Sequence, residues 1–410
     1  MLKKANRRLV LLSVAVVVAV ATNGLAKSVD QVGNAEWKAR MQAMLGNVLV
    51  LFPFAFDRSK FNDPKNASTI QTALKSLVAH SSELRNHTSR MKPEDGLKID
   101  PSFPIIADAF ATDLMLAQST SLMGENFQAN SQAYLRSALT KCMMCHTQSA
   151  NGPELKLDQF KNQFSSLSTT DRFMALTATR QFDAALKEFD QYVADSKVKK
   201  PDAVAFDEGV RAAVAIVVRV KRDPKRALSL IDAIIDSGAG TSMLQNDLIG
   251  WKKAVTAWQL EKLVPLQSPQ TLFDEAKRLI ESGKKQDSLE RSESPAIALL
   301  RASAYLHDLL SNYPSSPLRA QSYLLLASVY DSLPGFAIWD LSDEYLESCI
   351  QENPHTEIGE KCFGRYDDNT TIGYTGSAGT HIPEAVRQHM ARMRVLAERI
   401  KPAKAKVEKK

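Results

Sequence analysis

The stretch from Cys142 to His146, which reads Cys-Met-Met-Cys-His, constrains this chain more than any other. Cys-x-x-Cys-His is the pattern by which a c-type haem is attached to protein. Two cysteines separated by two residues lie on one helical turn, so both thiols can reach the vinyl groups of a single haem. The adjacent imidazole can then bind the iron from the proximal side. The motif therefore predicts one covalently attached haem c, held by Cys142, Cys145 and His146.

Two other uses of a Cys-x-x-Cys pair are open to the same residues. A thioredoxin-like redox dithiol needs a preceding strand in a β-α-β context, and no such pattern is visible before Cys142. A zinc site needs a second pair of Cys or His ligands at matching spacing. The remaining cysteines, Cys349 and Cys362, lie about 200 residues further along the chain. The motif therefore favours haem over both alternatives.

The first 26 residues have the pattern of a secretory signal peptide. An apolar run from Leu9 to Ala21 follows four basic residues, and small residues precede a cleavage point near Ala26. This run is shorter than the roughly 20 residues that span a bilayer, which favours cleavage over an uncleaved anchor. We therefore predict a periplasmic protein with no transmembrane segment in the mature chain. Bacterial c-type haem is attached after export, so this prediction and the motif support each other.

The charge of the chain disfavours a nucleic-acid-binding protein. The formal net charge is +6, but four of the positive charges lie in the predicted signal peptide. Much of the remaining basic bias lies in the Lys-rich tail 401–410, which we expect to be disordered. A nucleic-acid-binding domain would instead carry a dominant basic patch. Long segments rich in Ala, Leu, Lys, Glu and Gln, with little strand-like alternation, predict an all-α protein.

Four helical segments precede or carry the motif. Apolar residues recur at spacings of three and four near 34–52, 68–90, from 102 onward, and 126–146. Each segment thus has one apolar face, and Pro53 is expected to end or kink the first. Four helices of this length, joined by short loops, predict a four-helix bundle over residues 27–150. The residues expected to point inward include Met44, Ile70, Leu74, Ile105, Phe110, Leu116, Ala133, Leu135 and Leu139.

Residues 34–150 resemble the cytochrome c-prime family, including its low-spin relatives. The shared features are the bundle size, the haem motif at the end of helix four, and the start of helix one, Arg40-Met41-Gln42-Ala43-Met44. The resemblance implies that Arg40 approaches a haem propionate and that Met44 lies over the distal haem face as an iron ligand. Two departures stand out: Met41 replaces the usual glutamine, and the aromatic-Arg pair common after the haem histidine is absent.

Other distal arrangements are also compatible with the sequence. Met44 and Met41 share an apolar helix face, where methionine usually fills a core, and Met41 is the neighbour that could substitute as ligand. His80 or His87 would give bis-histidine ligation, although their polar surroundings suggest surface residues. With no distal ligand, a small gas such as NO could bind the iron. Methionine ligation raises the reduction potential and favours electron transfer.

The region from 169 to 400 has a different helical pattern, after a linker at 151–168 that is rich in Ser and Thr and contains Asn151-Gly152-Pro153. A motif with a period of 40 places Tyr305-Leu306 and Pro314 in register with Tyr345-Leu346 and Pro354. The region resembles a divergent tetratricopeptide (TPR) solenoid, which implies stacked helical hairpins that hold a partner. An irregular all-α domain is the alternative. His307, His355, His381 and His389 are not spaced for metal binding and are predicted to lie at the surface.

Two further features lie in this region. Cys349 and Cys362 would flank the Asn353-Pro354 turn on two antiparallel helices, so a disulfide is expected in an oxidising compartment, with two buried thiols as the alternative. The Gly-rich segment 373–380 precedes a helix that begins near Pro383. It lacks a preceding strand and a phosphate-binding lysine, so we predict a flexible loop rather than an anion site.

These observations lead to three hypotheses of function. The first is a periplasmic monohaem cytochrome for electron transfer, whose helical-repeat region docks a redox partner or a larger periplasmic assembly. The second is a five-coordinate haem protein that binds or senses a gas, and the third is an interaction scaffold with a structural haem. A haem enzyme is disfavoured because no distal His/Arg pair is identifiable. A homodimer is compatible with the bundle.

Overall fold

A computed structural model describes residues 39–88, 103–122, 128–148, 157–261, 267–289, 295–333, 336, 341–377 and 379–399. The residues described are about 83% helical, with 17 helices and almost no strand among them, so the predicted all-α fold is confirmed. The predicted signal peptide and the Lys-rich tail lie outside the described residues, and so does the side chain of His87. No helix within these ranges is both long and apolar enough to span a membrane.

The N-terminal part of the described chain is helical at each of the four predicted segments. Its helices are α1 (39–55), α2 (Arg58–Asn62), α3 (Ala67–Thr88), α4 (Phe103–Ser121) and α5 (Gln128–His146). A 3-10 turn, Pro64–Asn66, joins α2 to α3. The short helix α2 has no apolar repeat by which to predict it, but the Asp57 carboxylate caps it by accepting hydrogen bonds from the amides of Ser59 and Lys60.

Helix α1 continues through Pro53 to residue 55, so Pro53 does not end the first helix, and the predicted alternative of a kink at Pro53 stays a prediction. A proline this close to a helix end removes one backbone hydrogen bond from the last turn, a small loss. Burial of Phe52 and Ala55 favours the extra residues. The carbonyl of Phe54 is also satisfied, since the Gln132 side chain of α5 donates to it at 2.9 Å.

Most residues predicted to face the bundle core do so. Met44, Ile70, Leu74, Phe110, Leu135 and Leu139 are buried. The prediction was wrong for Leu116, which is 38% exposed, and for Ala133, which is exposed. Leu116 lies outside the stripe of buried residues on α4, and Ala133, two residues before Leu135, lies on nearly the opposite face of α5. Ala133 instead lines a cleft that is described below.

The described part of the segment predicted as a linker, residues 157–168, is partly helical and packed. It contains a 3-10 turn, Asp158–Phe160, and the short helix α6 (Lys161–Ser166). Phe160, Phe164 and Leu167 are buried. The ring of Phe160 lies against Gly46 of α1, so close that a Cβ at Gly46 would come within 3.4 Å of it. The segment therefore belongs to the core beside the bundle.

The remaining helices follow one another with short connections. They are α7 (Thr169–Ala178), α8 (Phe182–Ser196), α9 (Ala203–Ala215), α10 (Pro224–Ser237), α11 (Ser242–Leu260), α12 (Pro269–Leu289), α13 (Ala296–Asn312), α14 (Arg319–Asp331), α15 (Leu341–Glu352), α16 (Glu357–Gly373) and α17 (Glu384–Ala397). Consecutive helices pack as pairs, including α7 with α8, α12 with α13, and α15 with α16. Buried residues of all these helices and of the bundle form one continuous hydrophobic cluster.

The two halves of the 40-residue period correspond to equivalent helices. Tyr305-Leu306 lie on α13 and Tyr345-Leu346 on α15, and each helix is followed by a turn that contains proline and then by another helix. Cys349 of α15 and Cys362 of α16 form a disulfide, with their Cα atoms 6.2 Å apart. This bond ties the two helices of the last such pair together beside the Asn353-Pro354 turn.

Part of the Gly-rich segment has regular secondary structure, while its predicted flexibility stays a prediction. Residues Thr375–Gly376 and Gly379–Thr380 form a two-stranded antiparallel ribbon between α16 and α17. Gly379 adopts φ of +101°, a conformation that favours glycine, so the turn can close tightly. The hydroxyls of Thr375 and Thr380 also lie 2.8 Å apart across the ribbon. Pro383 is the N-cap residue of α17.

The prediction that His307 lies at the surface was wrong, because its side chain is only 1% exposed. Its Nε2 lies 2.9 Å from the hydroxyl of Tyr330, which also accepts a hydrogen bond from the fully buried Arg219 at 2.7 Å. Arg219 lies in a π-helical turn, Ile216–Lys221, that extends α9. These polar residues hydrogen-bond to one another in the interior, although Nε and Nη1 of Arg219 have no hydrogen-bond partner among the described residues. Helical spacing alone could not distinguish such residues from surface residues.

The buried ion pair between Lys141 of α5 and Asp113 of α4 is expected to contribute to the stability of the bundle. Their side chains are 2% and 15% exposed, and the Nζ–Oδ2 distance is 2.8 Å. We expect Asp113→Asn to lower the free energy of unfolding by about 2–4 kcal/mol, because it leaves a buried ammonium without its counter-charge. Urea unfolding followed by circular dichroism measures this change.

The matched control is Glu357→Gln, which neutralises one partner of the exposed pair Glu357–Lys361, with side chains 67% and 60% exposed. Exposed pairs contribute little, so this change should leave the free energy of unfolding essentially unchanged. Equal effects of the two substitutions would contradict the importance of the buried pair.

His389 of α17 predicts a pH dependence of stability. A hydrogen bond to Glu347 raises the pKa of His389, against an opposing effect of burial; the Nε2–Oε1 distance is 3.0 Å. Its contribution is therefore fully present below the unfolded pKa of about 6.5 and is lost as pH rises through the higher folded value. His389→Gln and Glu347→Gln should each remove this component from the pH profile of the thermal midpoint. An unchanged profile in His389→Gln would contradict it.

Candidate functional site

Cys142, Cys145 and His146 lie on the last turn of α5 and point to one side of it. At 3.6 residues per turn, positions 142, 145 and 146 fall within about 100° around the helix axis. All three side chains are partly exposed, and both cysteines are thiols. The structure thus brings together the three groups that the sequence predicts to hold a haem.

The imidazole of His146 is oriented by the backbone of another helix. Its Nδ1 lies 2.5 Å from the carbonyl oxygen of Ala178, at the end of α7. A carbonyl can only accept a hydrogen bond, so Nδ1 carries the proton and Nε2 keeps its lone pair. A second partner of this kind is typical of metal-binding histidines, because it fixes the tautomer and the ring orientation.

Arg180, in the turn between α7 and α8, also binds the C-terminal end of α5. Its Nη1 donates to the carbonyl of His146 at 2.7 Å. Arg180 has φ of +65°, a left-handed conformation, and its guanidinium lies 5.3 Å from the centre of the Phe182 ring. Positive charge at the carbonyl end of a helix is favourable, since the helix dipole is negative there.

The environment of His146 keeps its imidazole neutral. Burial, and secondly the charge of Arg180, lower the pKa of His146 to about 4, against an opposing effect of the hydrogen bond to Ala178. The imidazole is therefore unprotonated at neutral pH. Neutral imidazole with an available Nε2 is the form that binds metals.

The cysteines differ from those of a redox-active dithiol. Reactive cysteines in thioredoxin-like motifs are activated by low pKa values, which the N-terminus of a helix favours. Here the pair lies at the opposite end of a helix, where the dipole disfavours a thiolate. Burial, and secondly the charge of Cys145, raise the pKa of Cys142 to about 12. The position and environment of the pair thus argue against a dithiol oxidoreductase.

The opposite face of the motif is built into the interior. Met143 and Met144 are buried, and Thr147 donates to the carbonyl of Met144 at 3.2 Å. Gln148, also buried, donates to the hydroxyl of Tyr345 at 2.7 Å. The motif is therefore fixed between the bundle and the helices that follow it.

The residues assigned to the distal side lie on α1. Met44 is 5% exposed and belongs to the hydrophobic core, whereas Arg40 is partly buried. Met41 is only partly buried on the same helix, and His80 is partly buried on α3. Ligation by Met44 and contact of Arg40 with a propionate stay predictions, since both depend on the position of the haem.

A zinc site receives no support from the described residues. Within them, no group of three or more His, Cys, Asp or Glu side chains is placed to hold a metal ion. The motif supplies three donors, of which Cys142 and Cys145 are the two that a c-type haem would use for covalent bonds. This donor set matches haem attachment better than tetrahedral zinc, which needs a fourth ligand.

Sequence reasoning missed Ala178, Arg180 and Tyr345 as partners of the motif. Ala178 contributes only a backbone carbonyl, which any residue could provide. Arg180 acts through a left-handed turn whose position depends on how α7 packs, and no glycine marks it in the sequence. Tyr345 was assigned to the repeat pattern. Its contact with Gln148, across 197 residues, has no local signal.

Comparisons with protein-family models, with curated proteins and with solved structures find no match to this chain. The candidate site is therefore interpreted from its own residues and geometry.

Proposed function

We propose that this protein is a periplasmic monohaem c-type cytochrome that transfers electrons, with a helical-repeat region that docks its partner. The observation that carries the proposal is the arrangement at the end of α5. Cys142, Cys145 and His146 share one partly exposed helix face, and the hydrogen bond from Nδ1 of His146 to Ala178 leaves Nε2 available.

The residues present fit a covalently bound haem. Cys142 and Cys145 would form the two thioether bonds, and Nε2 of His146 would be the proximal ligand. The cofactor would supply a one-electron redox centre. The chain's own contribution is to orient the imidazole through Ala178, to keep it neutral, and to hold the helix end through Arg180.

Two further features support export and redox use. The disulfide between Cys349 and Cys362 is consistent with an oxidising compartment such as the periplasm, where the predicted signal peptide would deliver the protein. A methionine such as Met44 in a buried position is suited to the distal side of a haem used for electron transfer, because thioether ligation raises the reduction potential.

The helical-repeat region is the proposed docking surface for a redox partner or a periplasmic assembly. Its first helix, α7, and the turn that follows contact the end of α5 through Ala178 and Arg180. A partner bound to this helix and turn would lie near the haem face, and electron transfer requires such proximity. Stacked helical pairs of this kind commonly present surfaces for protein partners.

Haem attachment is tested by the double variant Cys142→Ser/Cys145→Ser in a bacterial host that matures c-type cytochromes. We expect the wild-type chain to retain one haem after denaturing electrophoresis, seen by haem staining and by intact mass. The double variant should retain none, because both thioether bonds are lost.

The matched control for haem attachment is Cys349→Ser/Cys362→Ser, which removes the same number of cysteines from the disulfide. This variant should retain its covalent haem. Wild-type protein that carries no covalent haem under these conditions would refute the proposed function.

The role of Met44 is tested by visible and near-infrared spectra of oxidised and reduced protein. Wild-type protein should be low-spin, with the weak charge-transfer band associated with Met–iron ligation. Met44→Ala should become high-spin and lose this band, because the distal ligand is removed. Met41→Ala, on the same helix but only partly buried, is the control and should keep the band.

A high-spin wild-type spectrum that Met44→Ala leaves unchanged would contradict methionine ligation. That result would instead favour the alternative in which an open iron binds or senses a gas such as NO.

A further inference from the structure

A cleft of about 480 Å³ lies between the bundle and the helices that follow it. Helices α5, α7 and α9 form its walls, and Phe56 and Phe336 contribute to its lining from outside these helices. The volume is within the range of 300–1,000 Å³ that is typical of small-molecule sites. Sites of this kind also occur preferentially where two structural units meet.

The cleft is distinct from the face that carries the proposed haem ligands. Met143, Met144 and Thr147 line the cleft, whereas Cys142, Cys145 and His146 do not. At about 100° per residue, the centres of these two sets lie roughly 150–170° apart around α5. The two residues inside the Cys-x-x-Cys motif therefore form part of a second site behind the first.

The charged groups that line the cleft are already bonded, three of them in ion pairs and Asp207 through hydrogen bonds alone. Arg136 of α5 forms an ion pair with Glu208 of α9. Arg211 bonds to Asp247 at 2.8 Å, and its guanidinium lies 5.3 Å from the centre of the Phe336 ring. Asp207 accepts hydrogen bonds from the backbone amide and the hydroxyl of Thr241. A charged ligand would have to break one of these pairs, so the cleft is suited to a neutral one.

The hydroxyl groups in the walls are engaged as well. The side chains of Thr140, Thr147 and Thr177 donate to carbonyls of their own helices at 2.8, 3.2 and 2.9 Å. Much of the surface left for contact consists of thioethers, methyl groups and phenyl rings, including Met143, Met144 and Met174. Methionine sulfur makes favourable contacts with aromatic rings and adapts to irregular shapes.

We propose that this cleft binds a neutral, mainly aromatic small molecule. The volume, the ion pairs and hydrogen bonds that already engage the charged groups, and the methionine- and phenylalanine-containing lining are the features that select this class of ligand. The proposal does not depend on whether a haem is attached, because the two sites occupy opposite faces of α5.

The test is isothermal titration calorimetry of the full-length mature chain with 2-naphthol, a neutral aromatic probe. Ala133 of α5 and Ala212 of α9 line the cleft from opposite walls. Ala133→Trp and Ala212→Trp should each weaken binding by about tenfold or more, since an indole ring would occupy the space that the probe needs. Ala184→Trp is the control, because Ala184 is exposed on α8 away from the cleft.

We expect wild-type protein to bind one probe per chain and Ala184→Trp to bind it with the same affinity. Far-ultraviolet circular dichroism establishes that each variant keeps its helices; Ala133 is exposed and tolerates a larger side chain. The proposal is overturned if wild-type protein does not bind the probe up to its solubility limit. It is equally overturned if Ala133→Trp retains wild-type affinity or if Ala184→Trp loses as much affinity as Ala133→Trp.

Discussion

The carbonyl end of α5 is held by a turn that lies more than 30 residues further along the chain. Two hydrogen bonds run in opposite directions between them: His146 donates to Ala178, and Arg180 donates to His146. Helix ends leave carbonyls without partners in the helix, and such groups need partners when they are buried. This pair of bonds fixes both the backbone and the imidazole of His146. The proposed proximal ligand thus depends on residues from both parts of the chain.

The same two hydrogen bonds determine which face of α5 is partly exposed and which is buried. With the helix end fixed, Cys142, Cys145 and His146 keep one partly exposed side, and Met143 and Met144 are held in the interior. One helical turn therefore supplies the proposed covalent cofactor site and one wall of the cleft. Because a helix backbone is stiff, a change in packing on one face of α5 can displace the side chains on its other face.

The sequence predicted the parts of this protein that depend on local pattern. Apolar spacing located α1, α3, α4 and α5, and the period of 40 located the equivalent helices α13 and α15. The motif also predicted that Cys142, Cys145 and His146 lie close together, since helix geometry fixes the separation of these positions.

What the sequence did not predict depends on contacts between distant elements. His307 reads as a surface residue until Tyr330 and Tyr345 are brought beside it. The Gly-rich ribbon depends on pairing between two very short strands, which leave almost no alternation to detect. The partners of His146 are a backbone carbonyl and an arginine in a left-handed turn. None of these has a signature within a short window of sequence.

The bond between Gln148 and Tyr345 has a consequence for the order of assembly. It joins residues that are 197 positions apart, so it can form only after the chain between them has been synthesised. Closing a contact between such distant residues costs chain entropy, so long-range contacts slow folding. The segment just after the motif is therefore expected to gain its final position only after the later helices have formed. While the chain folds, the turn from Cys142 to His146 would therefore be accessible before the later helices enclose it.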